Sequence, residues 1–389
     1  MNQSAVAQKT YQKYQEIYHI KPLVIRSPGR VNIIGEHTDY NEGFVLPGAI
    51  DKAVYVAVGK REDKIIELHS LEFSDTYHTT IADIAPREGK WTNYVLGVVA
   101  QILKRGYEIS GFNLVIDGEV PFGAGLSSSA AVECATAFAL NELFELGIKK
   151  EELIFIAQKA EHEYAKVMCG IMDQFASMYG KKDHVVKLDC KTMDYEYVPL
   201  KLDGYKILLL NTNVKHSLSA SEYNVRREQC EKGVAMVKAH HPEVVSLRDV
   251  TMAMLDKYVA PTEPLIYQRC KYVVQEKQRL LEGCEDLKAG HVEALGEKMF
   301  QTHEGLSKLY EVSCKELDFL VDAVKEDPDV LGARMMGGGF GGCTINIIRE
   351  AAIDETVTVL SQSYKQAMGL ELTAYIASLE DGTCSIAMD

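Results

Sequence analysis

The stretch Pro121-Phe122-Gly123-Ala124-Gly125-Leu126-Ser127-Ser128-Ser129-Ala130 constrains the fold of this chain most, because it joins a strand-like segment directly to a helical one. Phe112 to Asp117 alternates like a strand, and Ala130 to Phe144 carries apolar residues at helical spacing. Glycine gives the turn between them its backbone freedom and lets the main chain approach an anion closely. The serine hydroxyls can cap the helix start, whose free N–H groups then face outward. Plain capping and phosphate binding both remain open here. Spacing excludes the familiar alternatives: no Gly-x-x-x-x-Gly-Lys-Ser/Thr follows a strand, the His-Arg-Asp and Asp-Phe-Gly sets of protein kinases are absent, and no Gly-x-Ser-x-Gly elbow marks a serine hydrolase.

At 389 residues the chain suits two lobes of similar size with a cleft between them. Helical spacing runs over 5–18, 93–104, 151–167, 221–238, 265–281, 291–308, 314–324 and 355–368. Strand-like runs cover 23–25, 31–34, 53–58, 65–69, 185–188, 205–210, 344–348 and 373–378, with Pro28 and Gly29 expected to interrupt the first. This alternation implies mixed α/β or α+β architecture, with a lobe boundary near residue 200, at Pro199 and Asp203-Gly204. A formal net charge of -14 argues against a general polyanion-binding surface, so nucleic acid is not an expected partner. Nine scattered cysteines with no Cys-x-x-Cys spacing suit reduced thiols in the cytosol. A polar N-terminus, and no apolar run near the roughly 20 residues a bilayer needs, disfavour secretion and membrane insertion.

Glu161 borders the apolar stripe of Leu153, Ile156, Ala157, Ala160, Tyr164 and Val167, so it is either a boundary carboxylate with a wet head or a Mg²⁺ ligand serving nucleotide phosphates. Cys169 to Phe175 sets Asp173 among apolar neighbours, where an unpaired acid is too costly. Glu36, His37 and Asp39 crowd the loop after Val31 to Ile34, with Tyr40 and Asn41 beside them. Such a row suits adjacent sugar hydroxyls, although turn capping and solvation would account for any one member. Met335 to Cys343 satisfies Gly-x-Gly-x-x-Gly in form but precedes a strand, and no acid follows about 20 positions on. It therefore reads as a close-packed loop supporting the cleft.

Together these segments resemble the three signatures of the GHMP kinase superfamily, and Gly29-Arg30-Val31-Asn32-Ile33-Ile34-Gly35-Glu36-His37-Thr38-Asp39-Tyr40 resembles the motif particular to the galactokinase family. Further matches are Cys169 to Phe175, Asn211 to Cys230 with its His216-Ser217 and Ser221-Glu222-Tyr223, and Arg334 to Thr344. The resemblance implies a two-lobed α+β fold, with a lobe like the second domain of ribosomal protein S5 over 1–203 and a ferredoxin-like lobe over 204–389. It implies ATP against Gly123, Ala124, Gly125, Leu126, Ser127, Ser128 and Ser129, a further nucleotide contact near Ser70, and Mg²⁺ at Ser129 and Glu161. Galactose would meet Glu36, His37, Thr38, Asp39, Gly170 and Tyr223. Asp173 would be the base, partnered by Arg30, in transfer of the ATP γ-phosphoryl group to the anomeric hydroxyl of α-D-galactose. A cation beside a carboxylate weakens it as a base, so proton removal is expected late. The alternatives are a related kinase for N-acetylgalactosamine, a uronic acid, arabinose or an isoprenoid alcohol, and a galactose and ATP sensor that regulates a partner. Ser27, where many relatives have Ala, and the loop continuation Glu42 to Leu46 depart from the pattern and leave room for altered sugar preference. The implied partners are small molecules, galactose and ATP, with the chain a monomer or weak homo-oligomer in the cytoplasm.

Overall fold

The structure, a computed structural model, describes residues 4–214 and 219–388. The alternating apolar runs of the first 120 positions fold into one sheet from β1 (Leu23–Asn32), β3 (Pro47–Lys60), β4 (Ile65–Ser70), β5 (Asp75–Thr80) and β6 (Phe112–Gly118). The far end of the chain adds β13 (Cys384–Ser385), giving the order β13-β1-β3-β6-β4-β5, antiparallel except between β4 and β6. A three-stranded sheet of β2 (Phe44–Val45), β7 (His184–Asp189) and β8 (Tyr195–Pro199) lies beside it. The second lobe is built on β9 (Tyr205–Asn211), β10 (Val330–Met335), β11 (Cys343–Arg349) and β12 (Thr373–Ala377), antiparallel in the order β10-β11-β9-β12.

Pro28 and Gly29 do not end the first strand, as the sequence suggests they should. β1 runs through them, and Ile50 to Lys52 of β3 stand opposite the single Gly29. A bulge tolerates the missing Pro N–H and re-aims the next side chain, here Arg30. The apolar face of this sheet packs under α2 (Thr92–Lys104), α3 (Ser128–Leu143), α4 (Lys150–Ala160) and α5 (Met172–Tyr179). α3 lies close to β1 and β3 because Ala130, Ala131, Ala135 and Ala137 keep it thin. On the opposite face α1 (Ala5–Tyr18) buries Ala7, Tyr11 and Tyr14 against Val24, Tyr55 and Ala57.

The helix expected over 151–167 stops at Ala160 and continues as one wide π-type turn, Glu161–Ala165, closed by Lys166 in the left-handed region. That turn rotates Glu161 away from the regular stripe, and insertions of this kind gather at functional sites. The second lobe's helices are α6 (Ser219–Lys238), α7 (Met252–Tyr258), α8 (Pro264–Ala289), α9 (Val292–Glu304), α10 (Lys315–Val324) and α11 (Ile353–Met368). α9 also ends early, in a wide turn Gly305–Tyr310 that begins where Gly305 packs against Tyr272, whose ring would be 2.7 Å from an added Cβ.

The chain passes from β8 to β9 across residues 200–204, then returns at its end. Asp51 N–H donates to Ser378 O, Glu380 N–H to Ala49 O and Ile386 N–H to Val24 O, so this tail lies on the first lobe. Among the described residues no helix is long and apolar enough to cross a membrane.

α9 rests on β10 with backbone against backbone: a Cβ on Gly296 would stand 2.0 Å from Leu331 O. Gly296→Ala should therefore push helix from sheet and cost about 1–3 kcal/mol, read as a lower midpoint in urea unfolding.

Candidate active site

The two lobes enclose a cleft of about 960 Å³, lined from the first lobe by Arg30, Glu36, His37, Asp39, Gly123 and Gly125, and from the second by Tyr223 and Gly337 to Gly342. Its floor is an ion pair. Arg30 Nε donates to Asp173 Oδ1 at 2.9 Å and Nη2 to Oδ2 at 3.1 Å, a two-pronged contact that fixes both planes. Arg30 Nη1 also donates to Gly125 O at 2.6 Å, and Arg30 N–H to Leu126 O at 3.1 Å, so one residue ties the carboxylate to the glycine loop. Ser127 Oγ donates to Asp173 Oδ2 at 2.5 Å. Asp173 stands in the first turn of α5, an element absent from the sequence reading because eight residues are too few for a helical period to emerge.

The serine loop bends through left-handed Gly123, Gly125 and Ser127 before α3 begins. Gly123 and Gly125 line the cleft, whereas Ala124 and Leu126 turn into the core. The second glycine loop supports it from behind, as its glycine content suggests. A Cβ on Gly337 would lie 3.3 Å from Gly125 O, and one on Gly342 3.3 Å from Ala124 O.

Ser129 Oγ donates to Glu161 Oε1 at 3.2 Å, so the two oxygens implied as Mg²⁺ ligands are adjacent. Glu161 is buried, and burial with the nearby Asp173 charge raises its pKa to about 7. A hard oxygen pair short of positive charge fits a divalent cation. Gln174, missed at the sequence level, bridges two acids: its Nε2 donates to Glu161 Oε2 at 2.9 Å and to fully buried Glu133 Oε2 at 3.1 Å. Its place beside Asp173, between Met172 and Phe175, is the one local signal of it.

In the sugar loop, Glu36 Oε1 accepts from Arg334 Nη2 at 3.1 Å and from Gly337 N–H at 2.8 Å. Burial opposes its charge, but Arg334 and Arg30 outweigh that and hold Glu36 below the usual carboxylate range. α8 grips the loop's backbone: Tyr272 Oη donates to Glu36 O at 3.0 Å, and Gly35 N–H donates to Glu276 Oε1 at 2.8 Å. Asp39 sits against Gly170 so tightly that a Cβ there would stand 1.8 Å from Asp39 Oδ2. Burial and the Asp173 charge raise Asp39 to about 7. His37 and Tyr223 face one another with ring centroids 5.2 Å apart. Thr38 departs from its expected role as a sugar contact: it is fully buried and its hydroxyl is spent on the carbonyls of Gly35 and Phe44. Ser70 also lies outside the main cleft, in a side groove with Phe73, Trp91, Phe122, Ser128 and Ser129. His216 and Ser217 lie outside the described residues, as does the side chain of Ser221.

Three family models match in chain order: the galactokinase galactose-binding signature over residues 12–60, the GHMP kinases N terminal domain over 93–181 and the GHMP kinases C terminal over 284–366. A curated galactokinase from Thermotoga petrophila is 43% identical, covering 94% of this chain and 100% of that protein. The chain belongs to the galactokinase family. Another member, from Fusobacterium nucleatum, is 40% identical over 95% of this chain and 97% of its own. The crystal structure of Lactococcus lactis galactokinase complexed with galactose superimposes with a TM-score of 0.94 at 33% identity, covering 98% of this chain and 100% of that one. The Methanococcus jannaschii mevalonate kinase shares the fold alone, at a TM-score of 0.66 and 18% identity over 93% of this chain and 99% of that one. The galactokinase-family assignment confirms the two-lobed α+β architecture expected from the sequence.

Gly170→Ala should displace the Asp39 carboxylate and raise the KM for sugar at least about tenfold, with a smaller change in kcat, in steady-state assays. Asp39 and Glu161 have ordinary values of 3.8 and 4.5 and folded values raised to about 7. Between about 4 and 7 the native state therefore binds more protons than the unfolded one, and stability of the ligand-free protein falls as pH rises through that window. Urea midpoints at pH 5 and pH 8 check the sign, the lower midpoint being expected at pH 8.

Proposed function

We propose that this chain transfers the γ-phosphoryl group of ATP to the anomeric hydroxyl of α-D-galactose, giving α-D-galactose 1-phosphate and ADP. The observation that carries this reading is Asp173, clamped by Arg30 and Ser127 where the serine loop and the sugar loop face one cleft. The sugar would lie along Glu36, His37, Asp39, Gly170 and Tyr223 with its anomeric hydroxyl toward Asp173. Full-length similarity to galactokinases supports galactose as that sugar.

The phosphates would rest on Gly123, Gly125 and the start of α3, where backbone N–H groups offer local positive potential in a chain of net negative charge. The adenine ring would lie toward Ser70, where Trp91, Phe73 and Phe122 line a side groove and the two Phe rings meet edge to face. Ser129 Oγ and Glu161 Oε1 would hold Mg²⁺, which supplies charge neutralisation for the transferring phosphoryl group when bound.

Each carboxylate oxygen of Asp173 has two lone-pair sites. Oδ2 already accepts from Arg30 and Ser127, whereas Oδ1 accepts from Arg30 alone. Oδ1 is thus the atom free to take the sugar proton as the new bond from sugar oxygen to γ-phosphorus forms and the bond to the ADP oxygen breaks. In a loose transition state that proton leaves late, so orientation matters more than basicity. Arg30 fixes the carboxylate plane and places its charge beside the incoming phosphoryl group.

Asp173→Asn should lower kcat by about 10²–10⁴ while galactose still binds, measured by coupled ADP release and by calorimetry. Near-normal turnover would remove Asp173 as the base. In a monosaccharide panel ADP release should be greatest with galactose. Comparable rates with a uronic acid or arabinose would move the substrate, and binding of ATP and galactose without ADP release would make the chain a sensor.

A further inference from the structure

Glu161, which lines the cleft at the start of the wide turn after α4, is held through its two carboxylate oxygens by different parts of the first lobe. Oε1 accepts from Ser129 Oγ of α3 at 3.2 Å. Oε2 accepts from Gln174 Nε2 of α5 at 2.9 Å and from the Cys169 thiol, in the segment before α5, at 3.6 Å. Gln174 is fully buried, and its amide nitrogen also donates to Glu133 Oε2 at 3.1 Å. Phosphoryl transfer as described above gives Gln174 and Cys169 nothing to do.

We propose that Gln174 and Cys169 are positioning residues that occupy Glu161 Oε2, so that Glu161 offers a divalent cation one oxygen only and the site prefers Mg²⁺ to Ca²⁺. The inference rests on the reading of Ser129 and Glu161 as the groups that hold the nucleotide's metal.

A carboxylate oxygen has two lone-pair sites. On Oε2 one is taken by the amide and one by the thiol, whereas Oε1 keeps one beside the Ser129 hydroxyl. The amide can face only one way, because turning it over would set its carbonyl oxygen against the oxygens of Glu133 and Glu161, while Nε2 supplies one N–H to each. A buried carboxylate oxygen deprived of its N–H donor is left unsatisfied and takes a cation in its place. The two ions differ in what they ask of a carboxylate. Mg²⁺ is small, holds a near-ideal octahedron and keeps several waters, so single oxygens suit it. Ca²⁺ gathers roughly six to eight oxygens and readily uses both oxygens of one carboxylate. With Oε2 tied off, Glu161 meets the demand of the smaller ion and denies the larger its two-oxygen contact.

The direct test is displacement of Mn²⁺ by Mg²⁺ or Ca²⁺ from the full chain saturated with ADP, followed by electron paramagnetic resonance of the released Mn²⁺, with free ADP as the reference. In the wild type Ca²⁺ should be needed at a concentration at least about tenfold above that of Mg²⁺, after division by the same ratio for free ADP. Gln174→Met, which keeps the length of the side chain and removes its donor, should narrow that ratio at least about threefold. Cys169→Ala should narrow it less, since a thiol is the weaker donor. A wild-type ratio no greater than that of free ADP overturns the proposal whether or not any variant folds. A folded Gln174→Met that weakens both ions equally reduces Gln174 to a packing role and overturns it too.

The kinetic arm measures inhibition by Ca²⁺ at a fixed Mg²⁺ concentration, with ADP read by chromatography. The Ca²⁺ concentration that halves turnover should fall at least about threefold in Gln174→Met, with the KM for galactose within about twofold of the wild type. An unchanged half-inhibiting concentration overturns the proposal. If the wild type binds Mn²⁺ with ADP but phosphorylates no galactose, the sugar reading fails while the displacement ratio still decides the role of Gln174. If it binds no Mn²⁺ with ADP, the metal reading and the proposal fail together.

Discussion

Arg334 is the interaction on which the rest of this site depends. Its guanidinium is fully buried and donates to the carbonyls of Asn32, Ile33 and Met335 and to the Glu36 carboxylate. These acceptors lie on the end of β1, on the loop that follows it and on β10, so one side chain of the second lobe holds the first lobe's sugar loop in shape. Each of its three guanidinium nitrogens makes at least one hydrogen bond, and removing its carboxylate partner would cost about 3–5 kcal/mol. Glu36 is therefore fixed before any ligand arrives, from one side by Arg334 and from the other by the Gly337 N–H.

Arg30 does the same for the reacting end. Because β1 bulges at Pro28 to Arg30, the guanidinium reaches both Asp173 and Gly125 O, and so couples the carboxylate to the serine-rich glycine loop. Preorganisation of this kind is where a phosphoryl-transfer site gains its rate, since the loose transition state asks for position and charge more than for a strong base. Glu161 and Asp39, buried and close to the Asp173 charge, have their pKa values raised to about 7.

Much of this was legible in the primary structure, and the parts that were not share a cause. The serine loop, the acidic loop after β1 and the run around Asp173 are contiguous, so residue type and order exposed their chemistry. The helix expected over 151–167 ends at Ala160, because the apolar period continues past Glu161 while the backbone widens into a π-type turn. Thr38 looked like its neighbours in composition, yet its hydroxyl turns inward to close the loop. Tyr272, Glu276 and Arg334 act on the sugar loop from more than 200 positions away, and no local pattern announces such a partner.

By itself the sequence determined which groups this protein has for handling phosphate and sugar, and that strands and helices would alternate in two lobes, because glycine, serine and apolar periodicity act over a few residues. Only the tertiary structure decided which oxygen of Asp173 is free, which loop glycine a Cβ would exclude, and how Gln174 and Cys169 meet on one oxygen of Glu161. The physical reason is range: propensities and turns are written locally, whereas burial, ion pairing and hydrogen-bond direction depend on groups that meet only when the whole chain has folded.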